Sequence, residues 1–301
     1  MFVVLCLAAV FCCGGFLDGI SGGGGLLTVP ALLLADLPPE LALGTNKASS
    51  VAGIASSLGT YARGGLVNRS LAVFGLPFAL IGGLAGSKLV FFFPGETIGR
   101  ILVFLLPLGI LITLLPKKER GVRGEAEHSK IENAQAEDAQ SVAFRPADTG
   151  ETSFPRKAPK EAFQNQIAAG GRSVKLRACA ICSLVGLYDG FFGPGSASFY
   201  MLGFHIFLGM GLVQAAATVK LYNLAASAGA TVMFALHGHV RWSLVLPLSL
   251  AYIAGSVIGA RLAVRTGAHF IRRVLCVSLS MLFVSLLWKF FPGVFFFPGS
   301  D

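Results

Sequence analysis

Hydrophobic residues fall into two long stretches of the chain, and a polar stretch separates them. Residues 117–177 carry many charged side chains and show no sustained apolar period, which predicts a largely disordered linker. The stretches on either side are of similar length. We therefore predict a first membrane repeat at 1–116, the linker at 117–177, a second membrane repeat at 178–291 and a short C-terminal tail at 292–301.

Each hydrophobic stretch divides into five apolar elements at glycine, proline or charged residues. A helix that spans the hydrocarbon core needs about 20 residues, which the third, fourth and fifth elements provide and the first two do not. The first two meet at a glycine run, so we predict a glycine-broken or re-entrant hairpin, buried in protein or lining a wet cavity. The elements are predicted at 3–17, 25–35, 46–62, 71–93 and 98–116, and at 178–192, 196–209, 216–236, 243–264 and 271–291.

The two stretches contain the same three motifs in the same order. "GFLDGISGGGG" matches "GLYDGFFGPGS", which aligns Asp18 with Asp189. "TNKASSVAG" matches "TVKLYNLAA", which aligns Lys47 with Lys220, and "GGLAGSKL" matches "GSVIGARL". Each hairpin returns the chain to its starting side before three spans follow, so the halves lie in opposite orientations. We predict an all-α polytopic membrane protein of two inverted repeats with about five helical elements each.

The distribution of basic residues orients this topology. With the N-terminus and the C-terminus outside, the linker lies in the cytoplasm, where positive charge is enriched in inner-membrane proteins. The loops on that side contain Arg63, Arg69, Arg265, Arg272 and Arg273. We therefore predict a multi-pass protein of the cytoplasmic (inner) membrane.

The amino-acid composition also indicates that the chain lies in a lipid bilayer, which is its main predicted partner. Hydrophobic residues make up 54% of the chain and charged residues 13%, whereas soluble domains carry about 25% charged residues. The formal net charge of +9 does not indicate a nucleic-acid partner, because the linker charges are mixed in sign and no aromatic residues are interleaved with a basic stripe.

The motifs resemble those of a known family of membrane permeases. "GFLDGISGGGGLLTVPALL", "ALGTNKASS" and "YARGGLV" are similar to the first half of the TauE/SafE sulfite exporter family. "GLYDGFFGPGSASFY" and "ATVKLYNLAAS" resemble its second half, in the subgroup with a DGFFGPG motif. The resemblance covers both hydrophobic stretches and leaves out the linker. It implies a permease for sulfite, sulfonates or related small anions, usually exported, although the substrate itself does not transfer within so diverse a family.

The glycine runs and the paired lysines are the candidate anion ligands. A glycine-rich turn that opens a helix offers backbone N–H groups and the positive end of the helix dipole. Lysine side chains add charge, and nearby hydroxyl and amide groups add hydrogen bonds. Alternatively, the glycines only permit close helix packing, and the lysines either pair with the aspartates or extend to the membrane interface. The predicted substrate ligands are Gly22, Gly23, Gly24, Thr45, Asn46, Lys47, Gly193, Gly195, Ser196, Thr218, Lys220 and Asn223.

The two aspartates would repel an anionic solute, so they need another role. Asp18 and Asp189 either hold the broken turns in shape by accepting hydrogen bonds, or one of them carries protons as the coupling ion. We favour the structural role. The glycines of the "GxxxG" motifs at 82–86 and 255–259 are expected at close helix contacts.

Other classes of function fit the sequence less well. Intramembrane aspartyl proteases need a GxGD motif, but the glycine runs here follow each aspartate. We expect no enzyme, no cofactor and no metal site, since His237 and His239 stand in a loop without further ligands. A transporter of small organic carboxylates is the alternative substrate class. The sequence leaves open the choice between channel and carrier, the coupling ion and the oligomeric state; alternating access is the mechanism that inverted repeats favour.

Overall fold

A computed structural model of the chain describes residues 2–92 and 160–290. The described residues form eight helices and no strands, which confirms the predicted all-helical class. The element predicted at 98–116, most of the linker and the C-terminal tail lie outside them. The helices are α1 Phe2–Ser21, α2 Gly25–Leu34, α3 Pro39–Arg63, α4 Arg69–Val90, α5 Lys160–Phe191, α6 Ser196–Leu208, α7 Leu212–Leu236 and α8 Trp242–Phe290. Helix α8 is interrupted at Gly267, which has φ 75°, between the two elements predicted there.

Three helices in the described part of the chain are long and apolar enough to cross a membrane: Phe2–Ser21, Leu212–Leu236 and Trp242–Gly267. Helices α2 and α6, with 10 and 13 residues, are shorter than a span needs. The prediction that the first element is also too short is wrong, because α1 has 20 residues. Its glycines stay helical, since they are packed against a neighbouring helix instead of ending the segment.

Two other helices begin earlier than the sequence predicts. Helix α5 begins at Lys160, inside the predicted linker. Helix α3 begins at Pro39 and not at residue 46, because a proline with its fixed φ suits the first turn of a helix. Lys47 therefore lies within α3, and Lys220 lies within α7. The exposed fractions of the two lysines are 4% and 1%, so extension to the membrane interface is excluded for both.

Glycine turns end α1 and α5 and allow a short helix to begin at once. Gly22 between α1 and α2 has φ 88°, and Gly193 and Gly195 between α5 and α6 have φ 91° and 80°. Glycine adopts this left-handed region without the steric cost that a Cβ brings. The predicted glycine-broken helix pair is therefore present in each half.

The most extensive helix contacts join one half of the chain to the other. Helix α1 packs against α8, and α4 packs against α5. A Cβ built on Gly255 would stand 1.9 Å from the carbonyl oxygen of Cys12, and one built on Gly86 would stand 2.0 Å from that of Leu187. The predicted role of the "GxxxG" glycines in close helix packing is confirmed. The glycines between α1 and α8 are Gly15, Gly19, Gly255 and Gly259. The glycines between α4 and α5 are Gly82, Gly86, Gly186 and Gly190.

Candidate functional site

Two buried ion pairs cross between the halves of the chain. The Nζ atom of Lys47 on α3 lies 2.7 Å from Oδ1 of Asp189 on α5. The Nζ atom of Lys220 on α7 lies 3.0 Å from Oδ2 of Asp18 on α1. Buried charges are tolerated when they are paired and hydrogen-bonded. The aligned lysines and aspartates therefore act as two equivalent cross-half pairs.

The position of each aspartate explains why it needs a cation. Asp18 lies in the last turn of α1, and Asp189 lies in the last turn of α5. The C-terminal end of a helix carries partial negative charge, which is unfavourable for a carboxylate. The lysine of the other half compensates both the carboxylate and the helix end. Lys220 also donates to the backbone carbonyl of Asp18.

Hydroxyl groups surround the Asp189 carboxylate. Ser196 donates to its Oδ1, and Ser227 donates to its Oδ2 at 3.1 Å. The Ser227 hydroxyl also lies 3.4 Å from Nζ of Lys47. The Ser196 hydroxyl lies 3.3 Å from Oδ1 of Asn223, so the predicted ligands Lys47, Ser196 and Asn223 belong to one network with Asp189.

The Asp18 pair has a simpler environment. Within residues 2–92 and 160–290, the side chain that donates to its carboxylate is Lys220. The repeat explains the difference, because Gly25 stands at the position equivalent to Ser196 and Ile54 at the position equivalent to Ser227. The two ion pairs are equivalent in sequence but unequal in their hydrogen bonds.

The two glycine turns touch each other. A Cβ built on Gly22 would stand 2.2 Å from Cβ of Ala197, and one built on Gly25 would stand 3.0 Å from Cα of Pro194. The hydroxyl of Ser198 donates to the carbonyl oxygen of Ser21 at 2.7 Å. The turns therefore meet as the inverted-repeat hypothesis requires, but no solute fits between Gly22 and Ala197 in this conformation.

Lys47 lies directly against the second turn. A Cβ built on Gly193 would stand 2.8 Å from Cε of Lys47 and 3.0 Å from its Nζ. Gly195 precedes α6, and Ser196 is the first residue of that helix. The first turn lacks this arrangement: Gly24, which precedes α2, faces the hydroxyl of Tyr252. The predicted ligand Gly23 is buried in the same turn.

The remaining predicted ligands bond elsewhere. The Thr45 hydroxyl accepts from the backbone N–H of Arg241 at 2.9 Å, just before α8. The Thr218 hydroxyl accepts from the backbone N–H of Asn68 at 3.2 Å, just before α4. Each threonine thus fixes a loop of the other half and does not join the ion pairs. Asn46 accepts from the hydroxyl of Thr28 at 2.6 Å.

Some residues of the site are absent from the sequence prediction. Ser227 is the clearest example, and its spacing was a usable signal, because Lys220, Asn223 and Ser227 fall on one face of a helix. Tyr61 was also missed; its hydroxyl donates to the carbonyl oxygen of Gly19 at 2.8 Å. No sequence signal joins that tyrosine to the end of α1.

Apolar spanning helices, helices broken by glycine and buried cross-half ion pairs are typical of integral membrane transporters. The sequence pattern of the family described as "Sulfite exporter TauE/SafE" matches residues 6–286. The chain belongs to this family.

Relatives of the chain are named as transporters. It is 32% identical over 276 residues to "Probable membrane transporter protein ORF9" of Sinorhizobium sp, which covers 91% of this chain and 88% of the relative. It is 29% identical over 275 residues to "Probable membrane transporter protein YfcA" of Escherichia coli (strain K12), covering 91% and 86%. No solved structure is significantly similar to the chain. The protein is therefore a membrane transporter and not an enzyme, as the sequence predicts.

Proposed function

We propose that this transporter moves small anions across the inner membrane, with sulfite, sulfonates or another sulfur oxyanion as the substrate class, and exports them by alternating access. The observation that carries the proposal is the buried Lys47 against the second glycine turn, beside the start of α6. An oxyanion that leaves water needs a cation, hydroxyl groups and the N-terminal end of a helix. All three occur around Lys47.

A small organic carboxylate is the second candidate substrate. The favouring observation is that Lys47, Ser196 and Ser227 already hold a carboxylate group, that of Asp189. A donor set that fits an aspartate side chain fits a free carboxylate of the same shape. The two substrate classes share their charge and their hydrogen-bonding needs, so flux measurements have to separate them.

Equivalent helices of the two halves pack in the same way against each other's half, which supports the inverted repeat and a rocking mechanism. The packing of α1 on α8 corresponds to that of α5 on α4, and the packing of α3 on α8 corresponds to that of α7 on α4. Repeats related by a two-fold axis make such reciprocal contacts, and many carriers move one repeat against the other.

The same architecture agrees with the opposite orientations proposed for the two halves. Phe91, which follows α4, stacks on His237 and His239, which follow α7, at centroid distances of 4.5 and 5.2 Å. The ends of α4 and α7 therefore lie on one side of the molecule. That side is the outside if the N-terminus is outside and the linker is cytoplasmic.

The aspartates serve in this proposal as counter-charges that hold the broken turns. Coupling of transport to protons through one of them remains the alternative. Replacement of either aspartate with asparagine separates the two roles. An intact transporter that no longer responds to a pH gradient supports coupling, and loss of folding supports the structural role.

The test is flux into proteoliposomes that contain the purified full chain. Radiolabelled sulfite, thiosulfate, a small sulfonate and acetate are offered with and without a pH gradient. We expect saturable flux of a sulfur oxyanion that Lys47→Ala abolishes. Lys88→Ala is the control, because Lys88 is an exposed lysine on α4. Flux of acetate alone selects the carboxylate alternative, and the absence of any anion flux in wild type refutes the proposal.

A further inference from the structure

The donors around Asp189 come from three separate helices. Lys47 belongs to α3, Ser196 to α6 and Ser227 to α7, and all three converge on one carboxylate. A side chain that only needed charge neutralisation would be satisfied by the lysine alone, as the equivalent pair shows within the described residues. The additional hydroxyl donors form an oxyanion site that a carboxylate of the protein already fills.

We propose that Asp189 is an internal ligand of the anion site, and that the transported oxyanion replaces it at Lys47. The inference rests on the proposed anion transport. The two carboxylates of this transporter then have different tasks. Asp189 alternates with the solute, while Asp18 remains bound to Lys220 as a fixed brace between the halves.

The hydrogen bonds explain why the exchange occurs at this pair. When Lys47 turns to a solute, Asp189 keeps the hydroxyl groups of Ser196 and Ser227, so its charge stays partly compensated. When Lys220 leaves, Asp18 has no other side-chain donor among the described residues, because Gly25 and Ile54 replace the two serines. A buried carboxylate without a partner is strongly unfavourable. The Lys47 pair is therefore the one that opens.

The place of Lys47 also suits a bound anion. Its ammonium group lies against Gly193, two residues before the glycine that precedes α6. A solute at Lys47 therefore lies close to the positive end of that helix. Lys220, in contrast, donates to both a carboxylate and a backbone carbonyl of Asp18, so its surroundings are rich in acceptors.

Equilibrium binding to the purified full chain tests this inference. The probes are radiolabelled sulfite, methanesulfonate and formate, and the variants are Asp189→Asn and the matched Asp18→Asn. Removal of a competing internal ligand raises the apparent affinity by the inverse of the fraction of sites that were free. We expect Asp189→Asn to bind at least one probe roughly tenfold more tightly than wild type. This gain corresponds to a wild-type site that is free of Asp189 in about one-tenth of the molecules. Asp18→Asn is expected to show no gain.

A second pair of variants keeps the test decisive if Asp189→Asn does not fold. Ser227→Ala weakens the compensation of Asp189 once Lys47 has left it, so the ion pair opens less readily and the affinity for the anion falls. We expect binding to weaken by roughly tenfold, the lower end of the range for a hydrogen bond to a charged group. Ser57→Ala is the control, because this buried hydroxyl donates to the carbonyl of Ile54 in its own helix.

The outcomes separate the inference from the proposed function. If wild type transports an anion but Asp189→Asn gains no affinity over Asp18→Asn, the inference fails and the proposed function stands. If Ser227→Ala binds the probes as tightly as wild type does, the inference is also overturned. If wild type moves no anion while Asp189→Asn gains binding, the proposed function fails and the internal-ligand site stands.

Discussion

Lys220 and Asp18 have almost no contact with solvent, with exposed fractions of 1% and 3%, so each charge depends on the other. Lys220→Met leaves Asp18 buried without its cation, and removal of one partner from such a pair costs about 3–5 kcal/mol. We expect a clear fall in the melting temperature in detergent. The double variant Lys220→Met/Asp18→Asn, which leaves no unpaired charge, is expected to regain most of the loss. A double variant as unstable as the single one would contradict the role of the Lys220–Asp18 pair as a brace between the halves.

The threonines that precede the lysines fix loops of the opposite half. Thr45→Val removes the acceptor of the Arg241 N–H group, and Thr218→Val removes that of Asn68. Each change costs about 1 kcal/mol of local stability. Hydrogen exchange is expected to rise at residues 237–241 in Thr45→Val only, and at residues 64–68 in Thr218→Val only. Each variant is the control for the other, and an increase in both loops would contradict these reciprocal contacts.

At the scale of single residues, the sequence identifies the charged participants but not their partners. Duplication marks Lys47, Lys220, Asp18 and Asp189, because chance does not place such residues twice in order in an apolar chain. The choice between anion ligand and partner of an aspartate depends on which helices touch. That information is contained in tertiary contacts more than 140 residues apart, such as the Lys47–Asp189 pair.

At the scale of helices, glycines determine how closely the two halves approach. A Cβ on Gly255 would stand 1.9 Å from a backbone oxygen of α1, whereas a Cβ on Gly59 would meet no atom within 4 Å apart from the adjacent backbone of its own helix. We expect Gly255→Ala to lower the free energy of unfolding by about 1–3 kcal/mol or more, because the backbone of α1 or α8 has to shift. Gly59→Ala is expected to stabilise α3 by up to about 1 kcal/mol. Thermal unfolding in detergent measures both, and equal effects of the two variants would exclude packing as the cause.

The same glycines explain where the predicted helix bounds fail. An interior glycine lowers helix propensity, so the sequence predicts an end to the first element near residue 17. In the structure α1 continues to Ser21, because Gly15 and Gly19 meet the backbone of α8 there. Tertiary packing overrides local propensity at these positions. The true breaks occur where the backbone needs a positive φ, at Gly22 and Gly193.

At the scale of the whole molecule, the proposed orientation has a direct test. In a variant without its native cysteines, His237→Cys and Arg63→Cys each place one thiol at an exposed position at the end of a helix. An impermeant maleimide added to intact cells is expected to label His237→Cys and not Arg63→Cys. Permeabilised cells provide the control, in which both are labelled. Labelling of Arg63→Cys alone in intact cells would reverse the orientation.

The cross-half ion pairs have an electrical consequence for the transport cycle. Two lysines and two aspartates cancel, so the empty site carries no net charge. Once a monovalent anion binds, the loaded protein moves one negative charge through the membrane field, which contributes about 2.3 kcal/mol per 100 mV. In the proposed anion transport, a cell interior at negative potential would therefore expel the anion even against a concentration difference, unless a proton travels with it. If the proposed anion transport is correct, the neutral pairs make the membrane potential a driving force for export.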